Sequence, residues 1–288
     1  MFETGDVPYQ LARRRASASR TAVTVGAVCI GGPEPVIIGG PCSVESREQI
    51  RESAHAVKVA GAHLLRGGAF KPRTSPYHFQ GLGIEGLQLL AAAGEEVGLP
   101  VITEVMEPAL VETVASFADV LQIGSRNMHN YPLLQAAARN SRQRPILLKR
   151  GFAATIDEWL CAAEYILVAG NPNVILCERG VRGFDARYTR NLLDLTCVPL
   201  LHELTHLPVV VDPSHGTGQR LLIPVMARAA VACGADGLMI EMHPCPDAAL
   251  SDAAQAIDPQ TFAALCREVR SLHSTLQRPQ EEVLCTSY

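Results

Sequence analysis

No stretch of 18 apolar residues free of charge occurs in this 288-residue sequence, so no helix is expected to span a bilayer. The opening segment, MFETGDVPYQLARRRASASR, lacks the apolar core of a secretory signal. Arg13, Arg14 and Arg15 resemble part of a transit peptide, but Glu3 and Asp6 oppose that reading. The nine cysteines are odd in number and form no CxxC pair, which argues against a disulfide framework or a zinc finger. A reducing cytoplasm is the expected location. An excess of positive charge is also missing: 25 Lys and Arg stand against 29 Asp and Glu, a net charge of −4. Nucleic acid and anionic membranes are therefore not expected partners. No linker or low-complexity stretch divides the chain. Hydrophobic residues make up 48% and charged residues 19%, enough for one large α/β core.

What is present is repetition. Short apolar runs recur, each followed by a turn and an Ala/Leu-rich helical stretch. The runs are 36–39, 63–65, 101–103, 120–123, 146–148, 174–177, 209–211 and 237–240. They are continuously apolar, as parallel strands buried on both faces are. Ser46-Arg47-Glu48-Gln49 and Thr155-Ile156-Asp157-Glu158 read as capping boxes, and Pro108, Pro132 and Pro224 suit first turns of helices. The predicted fold is a single (β/α)8 TIM barrel over residues 35–275. An open doubly wound sheet is the alternative, but Gly39-Gly40-Pro41-Cys42 is not the GxGxxG such a sheet would carry. Residues 1–34 form an N-terminal extension whose segment 21–30 is expected to pair as a hairpin and plug the barrel bottom. The polar segment beyond Leu272 is expected to fray, with 276–288 as a tail.

Barrel enzymes gather their chemistry at the C-terminal ends of the strands. Here those ends carry, in order, Cys42, Arg66, Glu104, Gly124-Ser125-Arg126-Asn127, Lys149-Arg150, Glu178-Arg179, Asp212 with His215, and Glu241 with His243. Two chemical sets stand out. One is cationic: Arg66, Lys71, Arg73, Arg126, Lys149 and Arg179. For any single arginine a surface ion pair is the plainer account; for a strand-end group in an acidic protein, binding of small polyanions is, and six cations suit two anionic ligands. The loop 67–76 adds two glycines and the hydroxyls of Thr74 and Ser75, which suit a phosphate clamp. The second set is Cys42, His215 and Glu241, with Asp252 left open by pattern alone. A thiolate, an imidazole and carboxylates suit a divalent transition metal such as Mn, Fe, Co or Zn. The remaining cysteines read as core or surface fillers.

These residues lie in longer segments: GGPCSVES (39–46), LLRGGAFKPRTSPYHFQGLG (64–83), TEV (103–105), QIGSRN (122–127), LLKRG (147–151), CERGVRGF (177–184), TRNLLDL (189–195), LPVVVDPSHGTG (207–218) and IEMHPCPDAALSD (240–252). From about Pro8 to about Leu272 the chain resembles the type I 3-deoxy-D-arabino-heptulosonate 7-phosphate (DAHP) synthases, a subgroup that is itself similar to 3-deoxy-octulosonate 8-phosphate (KDO8P) synthases. The resemblance implies condensation of phosphoenolpyruvate with erythrose 4-phosphate, the first step of the shikimate pathway, with a divalent metal, manganese foremost. It implies Cys42, His215, Glu241 and Asp252 as metal ligands. It implies Arg66, Lys71, Arg126, Lys149 and Arg179 as the phosphoenolpyruvate site, and Arg73 and Thr74, with Ser75, as the sugar-phosphate site. Lys71 is then a candidate proton donor to the aldehyde oxygen and Glu104 an orienter of water. Lys71-Pro72-Arg73-Thr74 is the DAHP form of that segment, whereas KDO8P synthases, the alternative, take arabinose 5-phosphate. The resemblance further implies a homo-oligomer, dimer or tetramer. About 34 residues precede the first barrel strand, too few for the regulatory domains some relatives carry. Outside the family, two rivals remain: a Schiff-base aldolase using Lys149, and a non-catalytic phosphate-binding barrel.

Overall fold

The computed structural model of the chain describes residues 7–15, 20–71 and 75–276. Two short strands, β1 (Val23–Val25) and β2 (Val28–Ile30), pair antiparallel. The barrel strands follow: β3 (Val36–Gly40), β4 (Leu64–Arg66), β5 (Val101–Glu104), β6 (Val120–Ile123), β7 (Ile146–Lys149), β8 (Val174–Glu178), β9 (Val209–Val211) and β10 (Gly237–Glu241). All eight are parallel to their neighbours, and β10 pairs with β3 to close the barrel. Each predicted run lies within one residue of its strand. The closed sheet excludes the open doubly wound alternative.

The helices are α1 (Arg47–Val59), α2 (Ile84–Val97), α3 (Val111–Phe117), α4 (Tyr131–Ala138), α5 (Ile156–Val168), α6 (Cys197–Leu204), α7 (Pro213–Thr217), α8 (Ile223–Ala232) and α9 (Pro259–Leu276). Thr155 and Glu158 form a reciprocal capping box at α5. At α1 only half of the expected box is made. Ser46 accepts from the Gln49 amide, but the Gln49 side chain accepts from Glu45 N instead. Pro132 and Pro224 stand in the first turns of α4 and α8, and Pro108 opens a short 3₁₀ turn. Helix α9 continues through Leu276, past the expected start of the tail at Leu272. No helix among the described residues is long and apolar enough to cross a membrane.

Two apolar layers result. The outward strand residues, such as Ile37, Leu121 and Leu176, pack under the helices. The inward ones, including Ile38, Leu64, Ile102, Leu147 and Met239, share one cluster with Val23, Val25 and Ile30 of the hairpin. The predicted plug is therefore present: β1 and β2 cover the bottom of the barrel interior.

Candidate active site and metal centre

Along a strand, side chains two residues apart point the same way. Residues two beyond the inward apolar layer therefore also point inward, higher up. Arg66 follows Leu64, Glu104 follows Ile102, Lys149 follows Leu147, Asp212 follows Val210 and Glu241 follows Met239. Gly40 occupies this level on β3. Its φ is +140° and a Cβ there would fall 2.1 Å from the Arg66 carbonyl oxygen, so only glycine lets the two strands approach before the chain reaches Cys42.

Cys42, His215, Glu241 and Asp252 converge. Each offers one ligand atom, and the four atoms lie within 4.8 Å of one another. His215 Nε2 is 3.2 Å from Glu241 Oε1, and Cys42 Sγ donates to Asp252 Oδ2 at 3.3 Å. Asp252 has φ +53°, a left-handed conformation that turns its side chain into the cluster. The pattern that left Asp252 open is thus completed by the loop after β10.

Each of these four side chains is held by a further polar contact. Asp212, capping α7, accepts from His215 N at 2.9 Å, and its Oδ2 is 2.7 Å from His215 Nδ1, leaving Nε2 for the cluster. Gln255 donates to Glu241 Oε2 at 2.6 Å, and Arg66 donates to Glu241 Oε1 at 2.7 Å. Arg190 is 3.3 Å from Asp252 Oδ1 and donates to Gln255 Oε1 at 2.8 Å. Lys71 Nζ donates to both Cys42 Sγ and Cys42 O at 3.0 Å. Such outer contacts fix the tautomer and orientation of metal ligands.

The protonation pattern suits a cation. Burial, reinforced by Glu241, pushes the Cys42 thiol up to about 12. Burial holds His215 below the ordinary histidine range, against the pull of Asp212 and Glu241. Burial opposes the charge on Glu241, but His215 and Arg66 outweigh it and keep that carboxyl below its usual range. Asp252 is held low in the same way, by His215 and Arg190. An imidazole, two carboxylates and a thiol that a divalent cation would deprotonate form a mixed S/N/O donor set that fits a transition metal.

Beside the cluster lies a cavity of about 240 Å³. Arg66, Lys71, Glu104, Arg126, Lys149 and Arg179 line it, together with His215 and Asp252. Cys42 and Glu241 are buried behind Lys71 and Arg66. The buried Arg66 Nε has no partner among the described residues. Gly124 admits Glu104, whose Oε1 would lie 2.0 Å from a Cβ at that position. Arg73 and Thr74 lie outside the described residues. Ser75 is not in the cavity lining; its Oγ accepts from Tyr77 N at 3.4 Å.

Several residues read as rim groups face elsewhere. Arg150 donates to Glu178 at 3.2 Å and Asp194 at 2.9 Å, behind the barrel wall. His243 meets Glu45 at 3.4 Å and stays out of the cluster of Cys42, His215, Glu241 and Asp252. Conversely, the cavity also presents His78, Gln122, Ser125, Phe152 and Arg190, to which the sequence reading assigned no role. Asp212 was legible as a strand end but not as the residue that joins His215 to Lys149, its partner at 2.6 Å. Asp three residues before His, with Pro between, is a helix-cap signal that could have found it.

Comparison with known proteins places the chain among relatives of the same fold. Residues 15–278 match the DAHP synthetase I family. The chain is 47% identical to the phospho-2-dehydro-3-deoxyheptonate aldolase of Thermotoga maritima over 93% of its own length and 79% of that protein. It is 38% identical to the 2-dehydro-3-deoxyphosphooctonate aldolase of Nitrobacter hamburgensis, over 86% and 91% of the two chains. The crystal structure of the Thermotoga enzyme superimposes with a TM-score of 0.90 at 47% identity, covering 94% of this chain and 78% of that one. The chain belongs to the DAHP synthetase I family.

Proposed function

We propose that this protein condenses phosphoenolpyruvate with D-erythrose 4-phosphate and water, giving DAHP and phosphate, as a metal-dependent transferase of the shikimate pathway. The observation that carries this is a buried Cys-His-Glu-Asp cluster opening onto a cavity lined by cations. Cys42, His215, Glu241 and Asp252 hold the divalent ion, with manganese foremost and iron, cobalt and zinc as alternatives. When bound, the ion supplies Lewis-acid polarisation of the aldehyde oxygen.

Arg66, Arg126, Lys149 and Arg179, with Lys71, hold the phosphate and carboxylate of phosphoenolpyruvate. Their common place on the cavity wall supports this. They offset the repulsion between two anionic substrates and hold carbon 3 of the enol phosphate against the aldehyde carbon. Arg73 and Thr74, with Ser75 nearby, take the sugar phosphate. As the new C–C bond forms, Lys71 gives a proton to the aldehyde oxygen. Glu104 orients the water that captures carbon 2, and C–O cleavage then releases phosphate.

Phosphate release tests the reading. It should require both substrates, stop on chelation and return with metal. Arabinose 5-phosphate in place of erythrose 4-phosphate decides against KDO8P synthesis, which the Lys71-Pro72-Arg73-Thr74 segment disfavours. Full turnover with the five-carbon sugar and none with the four-carbon sugar would reverse the assignment. The protein is also proposed to be a homo-oligomer, dimer or tetramer, which light scattering would test.

A further inference from the structure

The cations of the cavity differ in what holds them. Arg66 is tied to Glu241 at 2.7 Å, Lys149 to Asp212 at 2.6 Å and Arg190 to Asp252 at 3.3 Å. Arg126 and Arg179 have no carboxylate within ion-pair distance among the described residues. Among the described residues the Arg179 guanidinium donates only to Gly180 O, long at 3.4 Å. Both instead lean on one neutral ring. The Arg126 guanidinium carbon lies 5.5 Å from the Phe152 ring centroid and that of Arg179 lies 4.8 Å from it. Both distances are within cation–π range. Phe152 lines the cavity beside them, and its carbonyl accepts from Arg182 N at 2.6 Å, which fixes the turn after β7 to the loop after β8.

We infer that Phe152 is a positioning residue that holds Arg126 and Arg179 together as an undischarged pair within the anion site. The physical reason is specific to an aromatic ring. Two guanidiniums converging on one cavity repel each other and need a restraint. A carboxylate would supply it but would also cancel the charge that an incoming anion needs. The π face of Phe152 attracts both cations through its quadrupole and carries no net charge. The cations therefore stay oriented and stay available. Arg66, Lys149 and Arg190, already paired, contribute more to order and less to net attraction. This role rests on the reading of the cavity as the phosphoenolpyruvate site.

The test uses the metal-loaded, full-length protein and phosphoenolpyruvate as the probe, with binding followed by calorimetry and turnover by phosphate release. Phe152→Leu should weaken phosphoenolpyruvate binding, and raise its KM, by about tenfold, the scale of two partly desolvated cation–π contacts. Its kcat, its KM for erythrose 4-phosphate and its manganese affinity should stay within about twofold. Phe152→Trp, whose larger π face holds a cation more strongly, should bind phosphoenolpyruvate at least as well as wild type. Equal binding by wild type and Phe152→Leu overturns the inference while leaving the functional reading intact. Equal weakening in the Leu and Trp variants also overturns it, because bulk and not the ring would then be what matters. Failure of the wild-type protein to bind phosphoenolpyruvate removes the functional reading itself, and this inference with it.

Discussion

The lower and upper halves of the barrel interior are built on the same strands, by side chains pointing the same way, yet they do opposite work. Below, Leu64, Ile102, Leu147, Val210 and Met239 join Val23, Val25 and Ile30 of the hairpin in a dry apolar cluster. One step of two residues higher, the same strands present Arg66, Glu104, Lys149, Asp212 and Glu241. The lower layer needs only apolar side chains of suitable volume. The upper layer concentrates buried charge, where each group left unpaired would cost several kcal/mol. Its pairs, Arg66 with Glu241 and Lys149 with Asp212, are therefore part of what lets a site exist at that depth. The lower layer supplies stability and the upper layer function, and the division can be tested from both ends.

Removing the Cys42 thiol should separate the two most sharply. Cys42→Ala is expected to abolish tight manganese binding and to lower phosphate release by about a thousandfold or more, several kcal/mol of lost carbonyl activation. Melting of the metal-free protein should shift by only a few degrees, since one small buried side chain is lost. A metal-free Cys42→Ala protein with full activity would refute the Lewis-acid role. The mirror experiment is Ile30→Ala in the plug, where the side chain is fully buried. It should cost about 2–5 kcal/mol in denaturant unfolding. Its kcat and manganese affinity should remain within about twofold; a large loss of either would show that the plug and the site are not independent.

A finer probe lies within the upper layer. Asp212→Asn keeps the shape of the group that aims His215 but removes its charge, and also unpairs Lys149. Metal affinity should fall by about 10–100-fold, the usual range for an outer-shell carboxylate. Manganese titration against a competing chelator would measure it, and an unchanged affinity would reduce Asp212 to a partner of Lys149 alone.

How much of this the sequence discloses follows the same division. The eight strands were legible because strands buried on both faces leave continuous apolar runs, and the rim was legible because each run ends in a polar residue. Which rim residue faces the cavity was less so. Lys149 and Arg150 are adjacent and both cationic, but alternation sends the first to the cavity and the second to Glu178 and Asp194. Arg179 and Glu178 divide in the same way. Counting inward positions from the apolar layer would have separated these pairs. Arg190, Gln255 and Phe152 could not be reached by that route. They stand on loops beyond the strands, and the contacts that give them meaning join residues distant in sequence, such as Arg190 with Gln255 and Arg126 with Phe152.

The smallest expected effect tests whether charge at the bottom of the barrel serves stability alone. Asp236, just before β10, accepts from Val209 N at 2.7 Å and from Arg20 at 2.6 Å, and His202 lies 3.3 Å away. Burial opposes its charge, but His202, the Val209 amide and Arg20 outweigh burial and hold the carboxyl below the usual aspartate range. A carboxyl whose pKa is depressed by folding stabilises the protein above its unfolded value, about 3.9, and loses that contribution as pH falls through the folded value. Asp236→Asn should therefore cost about 1–3 kcal/mol in urea unfolding at pH 7, the scale of hydrogen bonds to a charged group. The difference from wild type should be undiminished at pH 6 and should shrink toward pH 3. A difference that persists unchanged in acid would assign the loss to packing and geometry instead. The kcat/KM of the folded variant at pH 7 should match wild type, because Asp236 belongs to the end of the barrel that the chemistry does not use.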